Sequence, residues 1–447
     1  MSEAFGNGED WETISLANIQ ASENLNVLGA VAEFPTHVRD YYSRITAALH
    51  ETGDVDKGTM RRENKLPDIS KCELIYSGPH IGLCNPIVKS PRPICRLNSD
   101  YDVVALSAIA DDFVPRTNYV PNIPVIKFKD YFQGLSTGQD AEGKELYDTW
   151  TDHYRCGFRE FVGSDSERTL IAAILPRDCA HIYTITSVAF HDNADVVELT
   201  GLSSSIPVDF YVKMMDVSHI SPSRVAKLPL GIADKYKPAL FVRTLQLNCL
   251  TKYYADLWQE LWQDEFKAEQ WSIDDPRLKP FDTLTMEWQW ATPLRNYFER
   301  RQALVEIDVI AAMALGLSLK DLEMIYSIQF PVLQQNEADT WYDSKGNIVF
   351  TCSKGLTGVG CDRKEWESIR GKASPSPSEG GSVDNQKSNF SGAESYDGNG
   401  EPYVHTIDPK KSELYGGQQV TYYPPYTRPD RIADYRKAWA FFEHRFN

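Results

Sequence analysis

Residues 339–364, DTWYDSKGNIVFTCSKGLTGVGCDRK, gather residue types suited to holding an anion. Three glycines, Gly355, Gly358 and Gly360, lie among Lys354, Arg363 and Lys364. Glycine lets a backbone come close to a ligand, and nearby cations favour a negatively charged one. A second basic cluster, Lys89, Arg92 and Arg96, is set among prolines in PIVKSPRPICR. Both clusters read as loops, where binding residues concentrate, and the chemistry they suit is contact with phosphates or base edges. Arg295, Arg300 and Arg301 make a third cluster in a helical stretch, with a solvated face as the expectation.

Other chemistries find less support. Methylating an adenine amino group needs a short Asn/Asp-Pro-Pro-aromatic turn, whose oxygen accepts the amine proton while the ring stacks on the flipped base. Cys84-Asn85-Pro86-Ile87 lacks the second proline and the aromatic, and Tyr423-Pro424-Pro425-Tyr426 begins with a tyrosine. Phe5-Gly6-Asn7-Gly8 has the form of a cofactor-binding glycine turn, but no strand precedes it. No G-x-S-x-G elbow, H-E-x-x-H pair or P-loop occurs. His80, His153, His181, His191 and His219 are candidates by type alone. The eight cysteines form no C-x-x-C pair, which points to reduced, buried thiols and away from structural zinc. No cofactor or metal site is read in the chain.

The positioning elements follow from periodicity. At 447 residues the chain is too long for one core, and two or three domains are expected. Residues 36–52 have helical spacing through Val38, Tyr41, Tyr42, Ile45 and Leu49. Residues 66–135 read as loop-rich β structure, with strands near 73–76, 102–106 and 123–128. Runs 169–175 and 181–190 predict two paired strands in one sheet, and 195–215 a helix interrupted near Pro207. A long helix is expected over 238–270, a second over 293–315 ending before Gly316, and a third capped by Ser318 and Asp321. Asp343–Asn347 is a hairpin turn before the β-prone Ile348–Thr351. Residues 371–402 are rich in Ser, Gly, Pro and Asn and predict a disordered linker. A final helix over 429–446 carries Ile432, Tyr435, Trp439 and Phe442 as a docking stripe.

The net charge of −17 excludes holding nucleic acid by bulk charge, so any anion site must be local. No apolar run approaches the about 20 residues of a membrane span, and the acidic start MSEAFGNGEDWE is no signal peptide. A cytoplasmic protein is expected.

Several segments together resemble one family. Ser77-Gly78-Pro79-His80-Ile81 with Asn85-Pro86 and Lys89-Ser90-Pro91-Arg92 is similar to a loop of large class I adenine-specific DNA methyltransferases. Tyr101-Asp102, Asp111-Asp112 and Pro115-Arg116-Thr117-Asn118-Tyr119-Val120-Pro121 add to it. Arg168-Thr169-Leu170-Ile171-Ala172-Ala173, Val208-Asp209-Phe210-Tyr211 and Leu228-Pro229 resemble the TaqI-like C-terminal specificity region of those enzymes. Arg243-Thr244-Leu245, Leu247-Asn248-Cys249-Leu250-Thr251, Tyr254-Ala255-Asp256-Leu257-Trp258, Tyr326, Gln329-Phe330-Pro331 and Ser353-Lys354-Gly355-Leu356 continue it in order. The likeness covers roughly residues 66–366 and 421–443.

The resemblance implies an α+β target-recognition region with long helices and a disordered insertion near 371–402. The chain is expected to divide into a helical lead-in over 1–65, a specificity domain over 66–235, a helical domain with the glycine-rich hairpin over 236–370, the linker 371–402, and a docking helix within 403–447. The function the resemblance implies is reading double-stranded DNA for a site-specific adenine methyltransferase of a restriction-modification or phage-defence system. The chain lacks the catalytic half, so S-adenosylmethionine is expected on a separately encoded methyltransferase partner. Lys89, Arg92, Lys354, Arg363 and Lys364 are the expected phosphate contacts, and His80, Asn98 and Arg116 the expected base readers. An assembly subunit that does not touch DNA, or an inactive truncated methyltransferase, is the alternative.

Overall fold

The computed structural model describes residues 24–47, 49–161, 163, 166–215, 218–370 and 393–447. Phe5-Gly6-Asn7-Gly8 and most of the expected linker, 371–392, lie outside them. The fold is α+β, with helices packed on a small central sheet and a second sheet nearer the C-terminus.

The central sheet contains β1 (Ser43–Ala47), β2 (Arg155–Arg159), β3 (Ala172–Leu175) and β4 (Ile185–Phe190), in the order β1-β4-β2-β3 and antiparallel throughout. The two apolar runs share this sheet as expected, but they are not direct partners. β2 lies between them, pairing Ala172 with Phe158 on one side and Val188 with Cys156 on the other. β2–β4 are almost wholly buried, so their runs lack the polar alternation of a half-exposed strand.

The helix expected over 36–52 is instead a 3-10 turn, Val38–Asp40, followed by β1. β1 pairs Ile45 with Val188, and closing the sheet edge overrides the helical spacing. Residues 125–130 form a helix where a strand is expected; the Pro124 carbonyl accepts the Phe128 N–H and opens it.

Besides Asn24–Ala32 and Arg363–Ile369, seven helices of seven or more residues are present among the described residues: α1 (Asn193–Ser203), α2 (Ile206–Met214), α3 (Lys237–Asn248), α4 (Tyr297–Ala314), α5 (Leu319–Gln329), α6 (Pro331–Glu337) and α7 (Arg431–Phe446). Ser205 and Pro207 mark the predicted break between α1 and α2. Ser318 and Asp321 form the predicted capping box of α5. The long helix over 238–270 ends early, at Asn248. Its side chain is used by the sheet, accepting the Ile174 N–H at 2.9 Å, and the chain continues as short turns.

One large apolar core runs from Val27 to Phe442 and takes in residues from all seven helices. Tyr435, Ala438 and Phe442 of α7 are buried in it, with Ile432 and Trp439 packed at its margin, so the predicted stripe does dock. Arg295, Arg300 and Arg301 are not a solvated face. Arg295 donates to the carbonyls of Trp290, Leu106 and Leu250, Arg300 to those of Leu247, Leu294 and Cys84, and Arg301 pairs with Asp434. Planar guanidinium forks satisfy several acceptors at once, which makes arginine tolerable here.

The second sheet orders Ile348–Phe350, Trp341–Tyr342, Tyr426–Arg428 and Glu394–Tyr396 side by side. The last strand falls inside the stretch expected to be disordered. Tyr396 stacks on Tyr426, and its hydroxyl donates to the Ile369 carbonyl, which anchors it. All eight cysteines are free thiols; six are buried and Cys95 and Cys352 are half-buried. Among the described residues no helix is long and apolar enough to cross a membrane.

Candidate nucleic-acid interface

The expected hairpin turn and β-run of residues 339–364 are present as the paired strands Trp341–Tyr342 and Ile348–Phe350, and the glycine-rich part follows as a 3-10 turn, Lys354–Leu356. The Asp343 carboxylate, fully buried, accepts the N–H groups of Lys345 and Asn347 and so shapes the hairpin turn. Gly346 has φ +86°, and a methyl there would sit 2.4 Å from Asn296 Oδ1 at the start of α4. Gly360 has φ +74°, with the Val349 carbonyl oxygen 2.6 Å from where its Cβ would lie. Both glycines allow close approach to the protein's own atoms rather than to a ligand.

Lys354 and Lys364 nonetheless remain exposed. Arg363 is exposed as well but engaged, its guanidinium 2.6 Å from Asp339 and lying over the Phe350 ring. Asp362 caps the helix Arg363–Ile369 by accepting the Glu365 N–H.

The second cluster sits on a hairpin of strands Lys89–Pro91 and Tyr101–Val103. Its hub is Asp102, which is buried. One oxygen accepts Arg92 Nε at 2.8 Å, and the other accepts the N–H groups of Glu413 and Leu414 at 2.7 and 2.8 Å. Arg92 Nη2 also donates to the Lys411 carbonyl at 2.9 Å. Lys411 Nζ lies 3.9 Å from Asp362. The turn bearing exposed Lys410 and Lys411 therefore touches both basic loops, which are more than 250 residues apart in sequence. Sequence reading missed this turn, although its two lysines beside Pro409 were a visible signal.

The remaining candidates divide. Asn98 is exposed on the hairpin turn, beside exposed Arg96, Ile94 and Leu97. Arg116 is half-buried and clamped to Asn64 Oδ1 at 2.9 Å. Lys89 is half-buried, and burial and the Arg159 charge lower its ammonium pKa. Arg159, unnoticed in the sequence, donates Nε to the Gly78 carbonyl, and burial brings it down to about 10. Neither has a carboxylate partner among the described residues. His80 cannot read a base: it is 0% exposed, Nδ1 accepts the Ser77 N–H, and Nε2 donates to the Arg116 carbonyl. Burial holds it down to about 4, so it is a neutral core imidazole.

Other features suit a polyanion less well. A cavity of about 460 Å³ beside Trp271 and Phe281 is lined by Glu269, Asp274, Asp275 and Asp282, with Lys267 the one lining cation. Tyr426 of the Tyr-Pro-Pro-Tyr turn is buried against Trp366 and Tyr396, so its ring is not free to stack on a base. Cys361, Glu365 and His405 bring a thiol, a carboxylate and an imidazole together, and are the described residues best suited to a metal. No protein-family model matches this chain, and no curated protein gives a significant match to it.

Proposed function

We propose that this chain binds double-stranded DNA as the target-reading part of a site-specific adenine methylation system, with S-adenosylmethionine and the catalytic turn on a partner methyltransferase. The observation that carries the reading is the meeting of two basic loops at one lysine-bearing turn. Arg92 donates to the Lys411 carbonyl, and Lys411 Nζ lies 3.9 Å from Asp362, two residues before exposed Lys364. Exposed lysines there are suited to phosphates, and Asn98 and Arg96 on a protruding turn are suited to base edges. A local patch of this kind is what an acidic protein needs to hold a polyanion.

Fluorescence anisotropy with a labelled duplex tests it. Wild-type protein, alone or with a co-expressed adenine methyltransferase, binds in a salt-dependent way, and the K354E/K364E variant binds roughly tenfold or more weakly. Absence of salt-dependent binding in both settings would end the proposal.

A second reading rests on the same hairpin turn. Ile94 is 74% and Leu97 68% exposed, an apolar tip that suits a protein partner in an assembled defence complex. Partner recovery that survives nuclease treatment but is lost in I94D/L97D would favour it over DNA contact.

A further inference from the structure

Cys361 ends the glycine-rich loop, and Glu365 follows in the first turn of helix Arg363–Ile369. His405 arrives from the strand Tyr403–Thr406, which pairs with Gln419–Tyr422. Their ligand atoms, one from each residue, all lie within 4.8 Å of one another. His405 Nδ1 is 2.8 Å from Glu365 Oε1, and the Tyr403 hydroxyl donates to the same oxygen at 2.7 Å. Cys361 is buried, and the other two are half-buried and reachable from solvent.

We propose that Cys361, Glu365 and His405 form a binding site for a zinc-class divalent cation. Thiolate, imidazole and carboxylate each bind zinc at about 2.0–2.3 Å, which places ligand atoms roughly 3.3–3.8 Å apart around a tetrahedral ion. The three atoms lie within 4.8 Å of one another, so side-chain adjustments of about 1 Å or less, including opening of the 2.8 Å His405–Glu365 contact, bring them to that spacing. A sulfur–nitrogen–oxygen set favours zinc or cobalt over magnesium or calcium, which take oxygen ligands. Three protein ligands leave a fourth position to water.

The proton balance is simple. The Cys361 thiol releases its proton to solvent as the sulfur–metal bond forms. In the metal-free site His405 Nδ1–H donates to Glu365; on binding, the ring takes up a proton at Nε2 from solvent and gives up the one at Nδ1, whose lone pair then goes to the ion. Tyr403 keeps its hydrogen bond to Glu365 and orients the carboxylate, as partners of metal ligands commonly do. Burial and the adjacent Glu365 raise the Cys361 thiol, so without metal it stays protonated at neutral pH. Affinity rises with pH, because the thiol must lose its proton for the sulfur to bind.

Such an ion would tie the helix after the Lys354–Lys364 loop to the hairpin that leads into Lys410–Lys411. It would fix the two sides of the cationic surface on each other, across the chain segment 371–392. The site stands on its own geometry, independent of the DNA reading.

The test uses the full chain, reduced and stripped with a chelator, then titrated with Co²⁺ and back-titrated with Zn²⁺. The expected result is one Co²⁺ per chain with a thiolate-to-cobalt charge-transfer band that Zn²⁺ abolishes, and a melting temperature that rises with Zn²⁺. C361S and H405Q lose both responses, while C352S, at the half-buried thiol of the same segment, keeps them. Far-ultraviolet circular dichroism of the metal-free variants confirms folding, and should C361S misfold, H405Q carries the same readout. The proposal fails if the band is absent, persists in C361S or H405Q, or disappears in C352S. DNA affinity enters none of these measurements.

Discussion

His80 is sealed in the interior, and burial lowers its imidazole from the ordinary 6.5 to about 4. Above pH 6.5 the ring is neutral in both folded and unfolded chains, and its contribution to stability is complete. Between 6.5 and 4 the unfolded chain takes up a proton that the folded chain refuses, so stability falls as pH falls. Holding the ring at about 4 in the folded chain corresponds to about 3 kcal/mol across that window. H80Q retains a donor for the Arg116 carbonyl but cannot titrate. Its unfolding free energy from urea titrations, followed from pH 7 to pH 4, should therefore fall less than that of wild type by about that amount. His181, held to about 3 by burial and by Arg155, keeps titrating in both proteins, and Asp195, raised to about 6 by burial, opposes it equally in both. Parallel slopes for H80Q and wild type would rule out a buried neutral His80.

At the scale of elements, α4, α6 and α7 are joined by buried charge. Arg431 of α7 donates to Asp308 of α4 at 2.7 Å and to both carboxylate oxygens of Glu337 of α6, at 2.8 and 2.7 Å. Tyr435 donates to Asp308 at 2.6 Å, and Arg301 pairs with Asp434 at 2.7 Å. Burial alone would raise the Glu337 carboxyl, but Arg431 and Arg301 outweigh it and hold it at about 2. Removing one partner from such a network leaves the others charged and dehydrated. R431M should cost about 3–5 kcal/mol in denaturant unfolding at pH 7, far more than loss of a surface ion pair. A loss below about 1 kcal/mol would mean that water reaches the cluster. The helices here were legible because their signals are local: the Ser318–Asp321 box, Gly316 after α4, the Tyr435–Phe442 stripe. The charges on them were not. Arg300 and Arg301 look like solvent residues until Cys84, Glu337 and Asp434, far off in sequence, supply their acceptors. Likewise β1 was hidden because its pairing with β4 is set 140 residues away. Of the candidate interface, the exposed lysines were legible by type. The part played by Asp102 and Lys411 was not, because only the fold brings residues 92, 102 and 411 together.

For the molecule as a whole, the governing number is the net charge of −17. A duplex and this protein repel each other at long range, and only within about 10 Å at 0.1 M salt does a local patch dominate. Binding at the proposed face must then show a definite number of phosphate contacts rather than diffuse attraction. Each lysine that neutralises a phosphate contributes about 0.9 to the negative slope of log affinity against log salt. K354Q/K364Q/K411Q removes three exposed cations from the face without adding like charge. The slope should become shallower by about 2.7, while K144Q, on a separate hairpin, leaves it unchanged. Affinity lost with the slope preserved would mean that the substitutions act through the fold, by loosening the Lys411–Asp362 contact. A shallower slope in K144Q as well would mean that DNA is attracted to scattered lysines, with no defined face. The two readings of the exposed Ile94–Leu97 tip separate on the same plot: a DNA contact there changes the intercept but not the slope, because an apolar side chain displaces no counterion.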